Sequence, residues 1–188
     1  MLEVLFRNKY DKIIVDKSCE DVYNELKSVD KESEIVGKMT IYDDKDVDID
    51  VLYGLSTKIE RLLNKKVNLK SGANIIIEKT EALTVIDVNS AKDIKFKTAL
   101  KTNLEAAFEI ARQIRLRNIS GIIIIDFINM DSNEDVLILK NEFEKILMND
   151  KVPTNICSIT SLGLFELTRQ RIKKPLYEQL QGLKLGKE

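Results

Sequence analysis

Apolar positions along this chain change period several times, and the changes predict its elements. A short apolar run at Lys12–Val15 predicts a strand, and a helical pattern opens at Ser18, a good N-cap with Asp21 at the third position after it. A strand near Lys38–Tyr42 comes next. The acidic cluster Asp43, Asp44, Asp46, Asp48 and Asp50 then leads into a helix over Val51–Leu63, where Leu52, Leu55, Ile59 and Leu62/Leu63 share one face. That cluster lacks the glycine and closing glutamate of an EF-hand. It therefore reads as a solvated loop before a helix N-terminus rather than as a calcium site.

The character changes at Lys70-Ser71-Gly72, which places a domain boundary near residue 66. Two strands, Asn74–Glu78 and Ala82–Val88, are joined tightly enough through Lys79–Glu81 to form a hairpin. Beyond a loop over Asn89–Lys95, the longest helical pattern runs over Thr98–Arg117, with Leu100, Leu104, Ala107, Ala111 and Ile114 as its core stripe. The run Gly121–Phe127 is β-branched without alternation, which predicts a strand covered on both faces in the middle of a sheet. A helix over Ser132–Asn149, short strands at Asn155–Ile159 and Leu164–Thr168, and a basic segment ending in Pro175 complete the pattern. Strands interleaved with helices predict an α/β fold, a mixed sheet with flanking helices.

Composition narrows the chemistry. With 188 residues, 44% hydrophobic and 32% charged, the chain is long enough for a real core. No apolar run approaches the ~18 residues of a membrane span, and the N-terminal residues have no signal-peptide character, so a cytoplasmic protein is expected. Cys19 and Cys157 form no CxxC pair, which argues against structural zinc and leaves both as free thiols that pack as small apolar residues. The chain has no histidine, so imidazole is excluded as general base, triad member or metal ligand. Hydrolytic chemistry must come from carboxylates, a metal ion or lysine. Residues 1–60 hold 9 Lys/Arg and 15 Asp/Glu and residues 61–188 hold 21 and 16, formal charges of −6 and +5, so the second part is better suited to a polyanion.

The strand Thr84–Asn89, the long helix and the strand Ile122–Phe127 make a strand-helix-strand unit, right-handed if its strands are parallel. Each strand carries an aspartate near its C-terminal end, the edge at which open α/β sheets bind ligands. Asp87 and Asp126 with the amide oxygen of Asn89 are a partial shell for a hard divalent cation, Mg²⁺ or equally Mn²⁺. Such a cation would activate water against a phosphodiester without histidine. The plainer reading is that aspartates closing strands cap helices or brace loops. Basic residues supply the complement to a phosphate backbone: Arg112, Arg115 and Arg117 end the long helix, and Arg169, Arg171, Lys173 and Lys174 form a second cluster. Cations also favour helix C-termini and solvated faces for their own reasons. That explanation suits the helix arginines better than Arg169 and Arg171, which follow a strand.

Four blocks carry a resemblance. Thr80-Glu81-Ala82-Leu83-Thr84-Val85-Ile86-Asp87-Val88-Asn89-Ser90, then Thr102-Asn103-Leu104-Glu105-Ala106-Ala107 running on to Arg117, then Gly121–Ile128, and finally Leu162-Gly163-Leu164 with Leu167-Thr168-Arg169-Gln170-Arg171, resemble the ribonuclease E/G family in order and spacing. The resemblance implies a deoxyribonuclease-I-like catalytic subdomain over residues 66–182, preceded by a partial ribonuclease-H-like segment over residues 1–65 and followed by a tail at 183–188. It also implies a Mg²⁺-dependent endoribonuclease that hydrolyses single-stranded RNA to 5′-phosphate and 3′-hydroxyl ends. The family's metal aspartates fall on Asp87 and Asp126, its accompanying asparagine on Asn89, and a basic stretch on Arg169 and Arg171. Where the family usually has a second aspartate after the strand, this chain has Asn129. Nothing in it resembles the family's S1-type domain, its 5′-end sensor or its two-cysteine zinc link, so the chain reads as a fragment or truncated relative. A different class of function stays open beside it: a non-catalytic RNA-binding or dimerisation module, since family subdomains also form homodimers. A nucleotide-binding α/β domain is disfavoured by the lack of a GxGxxG or GxxxxGK[ST] loop.

Overall fold

The computed structural model describes residues 10–29, 34–90 and 99–185. The chain divides into two compact units, Met1–Ile59 and Glu60–Glu188.

The first unit has two parallel strands, β1 (Ile13–Asp16) and β2 (Met39–Tyr42). Parallel strands cannot be joined by a hairpin, and the connection here holds helix α1 (Glu20–Val29) and the single turn α2 (Glu34–Gly37). The helix entry differs from expectation. A short 3₁₀ turn at Lys17–Cys19 comes first, capped by Asp16, whose carboxylate accepts the Ser18 N–H at 2.9 Å, and α1 begins only at Glu20, so Ser18 lies within the turn. The helix expected over Val51–Leu63 is two helices, α3 (Ile49–Tyr53) and α4 (Leu55–Leu63), because Gly54 takes a left-handed φ of 56° and ends α3.

The acidic cluster is occupied by local bonds. Asp44 accepts the N–H groups of Asp46 and Val47, Asp48 caps α3, and Asp50 accepts both the N–H and the hydroxyl of Ser56 at 2.6 Å. The two Ser56 bonds hold the Asp50 carboxyl below its ordinary pKa.

The second unit is a six-stranded mixed sheet: β3 (Lys66–Asn68), β4 (Asn74–Lys79), β5 (Leu83–Asn89), β6 (Gly121–Asp126), β7 (Thr154–Ile159) and β8 (Phe165–Arg169), in the order β3-β4-β5-β6-β8-β7. All neighbours are antiparallel except β5 and β6. The crossover between these two carries α5 (Ala99–Leu116), and α6 (Asn133–Leu147) lies between β6 and β7 in sequence. Thr98, and residues 91–95 of the expected loop, lie outside the described residues.

Helices α5 and α6 cover one face of the sheet. Ala106, Ala107, Ile110 and Ile114 of α5, with Leu139 and Phe143 of α6, form one core with Ile75, Ile86, Val88, Ile123 and Ile125 of the sheet. The alanines let α5 lie close to the strands, and Ser132 starts α6 by accepting the N–H groups of Glu134 and Asp135. The strand β6 is central, yet it is not buried on both faces: Ile123 and Ile125 are 0% exposed while Ile122 is 49% exposed. A run of isoleucines hides an alternation that only the burial reveals.

Three further features were not expected: β3, only three residues long; α7 (Leu176–Leu185), which extends into the residues read as a tail; and the exposure of Cys157, a free thiol. Among the described residues no helix is long and apolar enough to cross a membrane.

One buried ion pair fastens the sheet end at which β6 begins. Arg169 donates from Nε to Asp150 at 2.8 Å and from Nη1 to the Asn118 side chain at 3.0 Å and the Ile119 carbonyl at 2.9 Å. The side chains of Arg169 and Asp150 are 4% and 5% exposed, so water does not screen the pair. Asn118, left-handed at φ 48°, also donates to the carbonyls of Lys173 and Lys174 and so ties down the segment after β8. Replacing Asp150 by alanine leaves a buried guanidinium without its counter-charge. Urea unfolding of Asp150→Ala is expected to show a loss of about 3–5 kcal/mol, and a loss below about 1 kcal/mol would contradict this role.

The Asp50 bonds carry their own pH dependence. A carboxyl whose folded pKa lies below its unfolded value contributes fully above the unfolded value, and the contribution disappears as pH falls through the folded one. Followed by NMR, the Asp50 carboxyl is expected to titrate at lower pH than in Ser56→Ala.

Candidate metal centre

The parallel pair β5/β6 runs in register from Leu83 opposite Ile122 to Asp87 opposite Asp126. Neighbours in register share a face, and strands lie about 4.8 Å apart. Ile86, Val88, Ile125 and Phe127 enter the core, so Asp87 and Asp126 emerge together on the opposite face, at the C-terminal ends of their strands. Asp126 is exposed and Asp87 half-buried. Asn89 shares the face of Asp87 and donates its Nδ2–H to Asp87 Oδ2 at 2.7 Å, which fixes one carboxylate oxygen and the amide plane together. The structure thus brings all three expected residues to one place.

The pair rests on buried supports. Phe127, next to Asp126, meets the rings of Phe143 and Phe165 edge-on at centroid distances of 5.8 and 4.9 Å. After it, the chain is clasped by Asn103 of α5, fully buried, whose Nδ2 donates to the Ile128 carbonyl at 2.8 Å and whose Oδ1 accepts the Ile128 N–H at 3.0 Å. Both backbone groups of Ile128 are thereby satisfied without a sheet partner. Sequence reading missed Asn103, although a signal was present: a carboxamide between Leu100 and Leu104 in an otherwise apolar stripe must find partners inside the core. On the neighbouring strand connection, Glu105 of α5 accepts the Ser71 N–H at 3.0 Å and holds the β3–β4 loop.

The donor set fits a hard divalent cation in chemistry. Two carboxylates side by side, with no cationic side chain paired to either among the described residues, offer uncompensated oxygens. Magnesium retains several waters and needs only one or two carboxylates from a protein. Among the described residues no group of three or more His, Cys, Asp or Glu that could hold a metal occurs, and Asp87 and Asp126 are the carboxylates that the strand register sets side by side.

The expected basic residues lie elsewhere. Arg169 is opposite Gly121, at the start of β6, five residues from Asp126 or about 17 Å along the strand. Helix α5 returns the chain from the end of β5 to the start of β6, so Arg112, Arg115 and Arg117 also belong to that far end. Arg112 is paired with Glu109 at 2.9 Å, and Arg115 is exposed. Arg171 and Lys173 are exposed beyond β8. Arg169 needs correction as an RNA contact: its donors are taken by Asp150, Asn118 and Ile119 inside the protein, and no face is left for a phosphate.

The profile of the Ribonuclease E/G family matches residues 1–172. The chain is 52% identical to Ribonuclease E of Synechocystis over 130 residues, 67% of this chain and 19% of that protein. It is 44% identical over 154 residues to a Ribonuclease E/G-like protein of Pyropia yezoensis, covering 80% of this chain and 30% of the relative. With Ribonuclease G of Haemophilus influenzae it shares 39% identity over 173 residues, 88% of this chain and 34% of the other. The chain thus spans only about a fifth to a third of the length of these relatives.

Asn103→Ala removes both bonds to Ile128 and leaves two partly buried backbone groups unpaired. It is expected to destabilise the chain by about 1–3 kcal/mol and to raise amide exchange at Ile128 ahead of exchange in β4. Unchanged protection at Ile128 would mean that another contact holds the segment.

Proposed function

The chain belongs to the ribonuclease E/G family, and on that premise we propose that its second unit carries the metal-dependent centre of an endoribonuclease acting on single-stranded RNA. One observation carries the reading: the in-register pair Asp87/Asp126 on the open face of the sheet, with Asn89 bonded to the first. Asp87 and Asp126 would hold a Mg²⁺ or Mn²⁺ ion, with the Asn89 carbonyl oxygen beside them. Such an ion, when bound, supplies acidification of water and charge neutralisation at a phosphodiester.

The protein's own residues set the conditions for that chemistry. The Asn89 amide holds the Asp87 carboxylate in one orientation, so a cation meets a preorganised oxygen. Asp126 is directed by the strand register and by the Phe127 and Ile128 anchors behind it. With no histidine in the chain, no imidazole takes the proton from water, and carboxylates are the bases on hand at this edge. Hydrolysis to 5′-phosphate and 3′-hydroxyl ends is the outcome we propose, in RNA processing and decay.

The deciding experiment is a Mg²⁺ titration of the purified chain and of Asp87→Asn and Asp126→Asn, with a fluorescent single-stranded RNA present, recording both metal binding and cleavage. Metal binding is expected in the parent chain and its loss in either variant, with the far-ultraviolet spectrum unchanged. Cleavage, where present, is expected to fall by about 10²-fold or more in both variants. Equal metal binding by all three proteins would remove the site assignment, and no binding by any would favour a non-catalytic RNA-binding or dimerising module.

A further inference from the structure

At the sheet end remote from Asp87 and Asp126, the second unit holds a cavity of about 720 Å³, within the size range of small-ligand sites. Its charge is one-sided: Lys65, Lys79, Arg117, Arg171, Lys173 and Lys174 line it, against the single carboxylate of Glu178. Lys79 already neutralises Glu178 at 2.9 Å, and Lys65 is paired with Glu78 at 2.9 Å. Among the described residues, Arg171, Lys173 and Lys174 have no carboxylate in ion-pair contact, and Arg117 has only the more distant Glu109. Arg117 is half-buried; its Nε donates to Gln113 and its Nη2 to the Asn64 carbonyl at 2.8 Å, both neutral acceptors. Burial pushes its pKa down, and the smaller opposing pull of Glu109 does not offset the cost of holding a guanidinium partly out of water. Ser120 adds an independent sign: it lines the same cavity, and its hydroxyl is buried with no hydrogen-bond partner. Buried hydroxyls are rarely left unpaired without a reason.

The remaining wall is apolar, formed by Leu62, Ile172 and Leu176. The cavity has fixed margins, because Asn118 holds the carbonyls of Lys173 and Lys174 and the Leu176 N–H donates to the Arg117 carbonyl at 2.9 Å. Arg171 lies over Gly121, with its Nη2 3.8 Å from where a Cβ would stand.

We propose that this cavity binds one nucleotide unit, its phosphate held by Arg117, Arg171 and the Ser120 hydroxyl, with Lys173 and Lys174 at the rim and its base against the apolar wall. The identification of the ligand as a nucleotide of RNA rests on the function proposed above; the anion site itself does not. Held about 17 Å along β6 from the aspartates, such a unit anchors RNA away from the metal centre rather than taking part in cleavage.

The test uses the full chain and three probes: inorganic phosphate, adenosine 5′-monophosphate, and the dinucleoside phosphate ApA, followed by amide NMR. The nucleotides are expected to shift the Ser120 and Gly121 signals and to bind more tightly than phosphate. Arg171→Ala and Ser120→Ala should each weaken binding, the former by roughly tenfold, while Asp87→Asn leaves it unchanged. The balance between the two nucleotides tells whether a terminal or an internal phosphate is preferred, and binding of either supports the site. Absence of binding by all three probes, shifts confined to Asp87 and Asp126, or wild-type affinity in Arg171→Ala would overturn it. A nucleotide bound no more tightly than phosphate would overturn the base-binding half. Loss of the metal site with nucleotide binding intact would count against the proposed function alone.

Discussion

The parallel pairing of β5 with β6 is the constraint from which the rest of the second unit follows. Parallel strands need a crossover, and here α5 supplies it and fills one face of the sheet with small apolar residues. The register of the pair is set by what that face buries. Ile86 and Val88 on one strand and Ile125 with Phe127 on the other must all point at α5 and α6, which forces Asp87 and Asp126 outward and level with one another. A slip of one residue would exchange the two sets and bury a carboxylate under the helices. Hydrophobic burial of about 25 cal/mol per Å² therefore specifies the position of two charges that contribute nothing to the core.

The same strands separate two electrostatic ends. Carboxylates close the C-terminal ends of β5 and β6, while cations gather where β6 begins and β8 finishes. For a polyanion the first end is repulsive until a cation occupies it, and the second is attractive at any time. On the proposed reading the two ends divide the work: capture at the basic end depends on salt, and chemistry at the acidic end depends on a divalent ion. The overall balance of −1 conceals this, because the −6 of residues 1–60 offsets the +5 of residues 61–188.

Elements with strong periodicity were legible in the sequence for direct physical reasons. The stripe of α5 and the hairpin of β4 and β5 follow from apolar spacing, and the aspartates were visible because each closes an apolar strand. What could not be read was decided by partners distant in the chain. Asn103 becomes a clasp only when Ile128 arrives 25 residues later. The isoleucine run of β6 offers no alternation, so its exposed face at Ile122 appears only once helices cover the other one. Gly54 breaks a convincing helical stripe because its left-handed backbone ends the first helix, a conformation that the apolar spacing of the leucines around it does not reveal. Helix α7 and strand β3 are short and polar in part, and their placement comes from the neighbours they join rather than from propensity.

Arg169 and Arg171 show where local reading ends. They are two residues apart in one basic stretch, and charge alone gives them the same role. Their environments differ because Asp150, 19 residues before Arg169, sits buried at the end of the turn after α6 and takes its Nε at 2.8 Å. Burying a guanidinium is tolerable only with such a partner and with neutral acceptors for the remaining donors, which Asn118 and Ile119 provide. Among the described residues no buried carboxylate pairs with Arg171, which lies exposed over Gly121 and beside the cavity. The first arginine is a structural brace because its anion is built into the chain; the second has no carboxylate in ion-pair contact among the described residues, which is what the proposed anion site relies on.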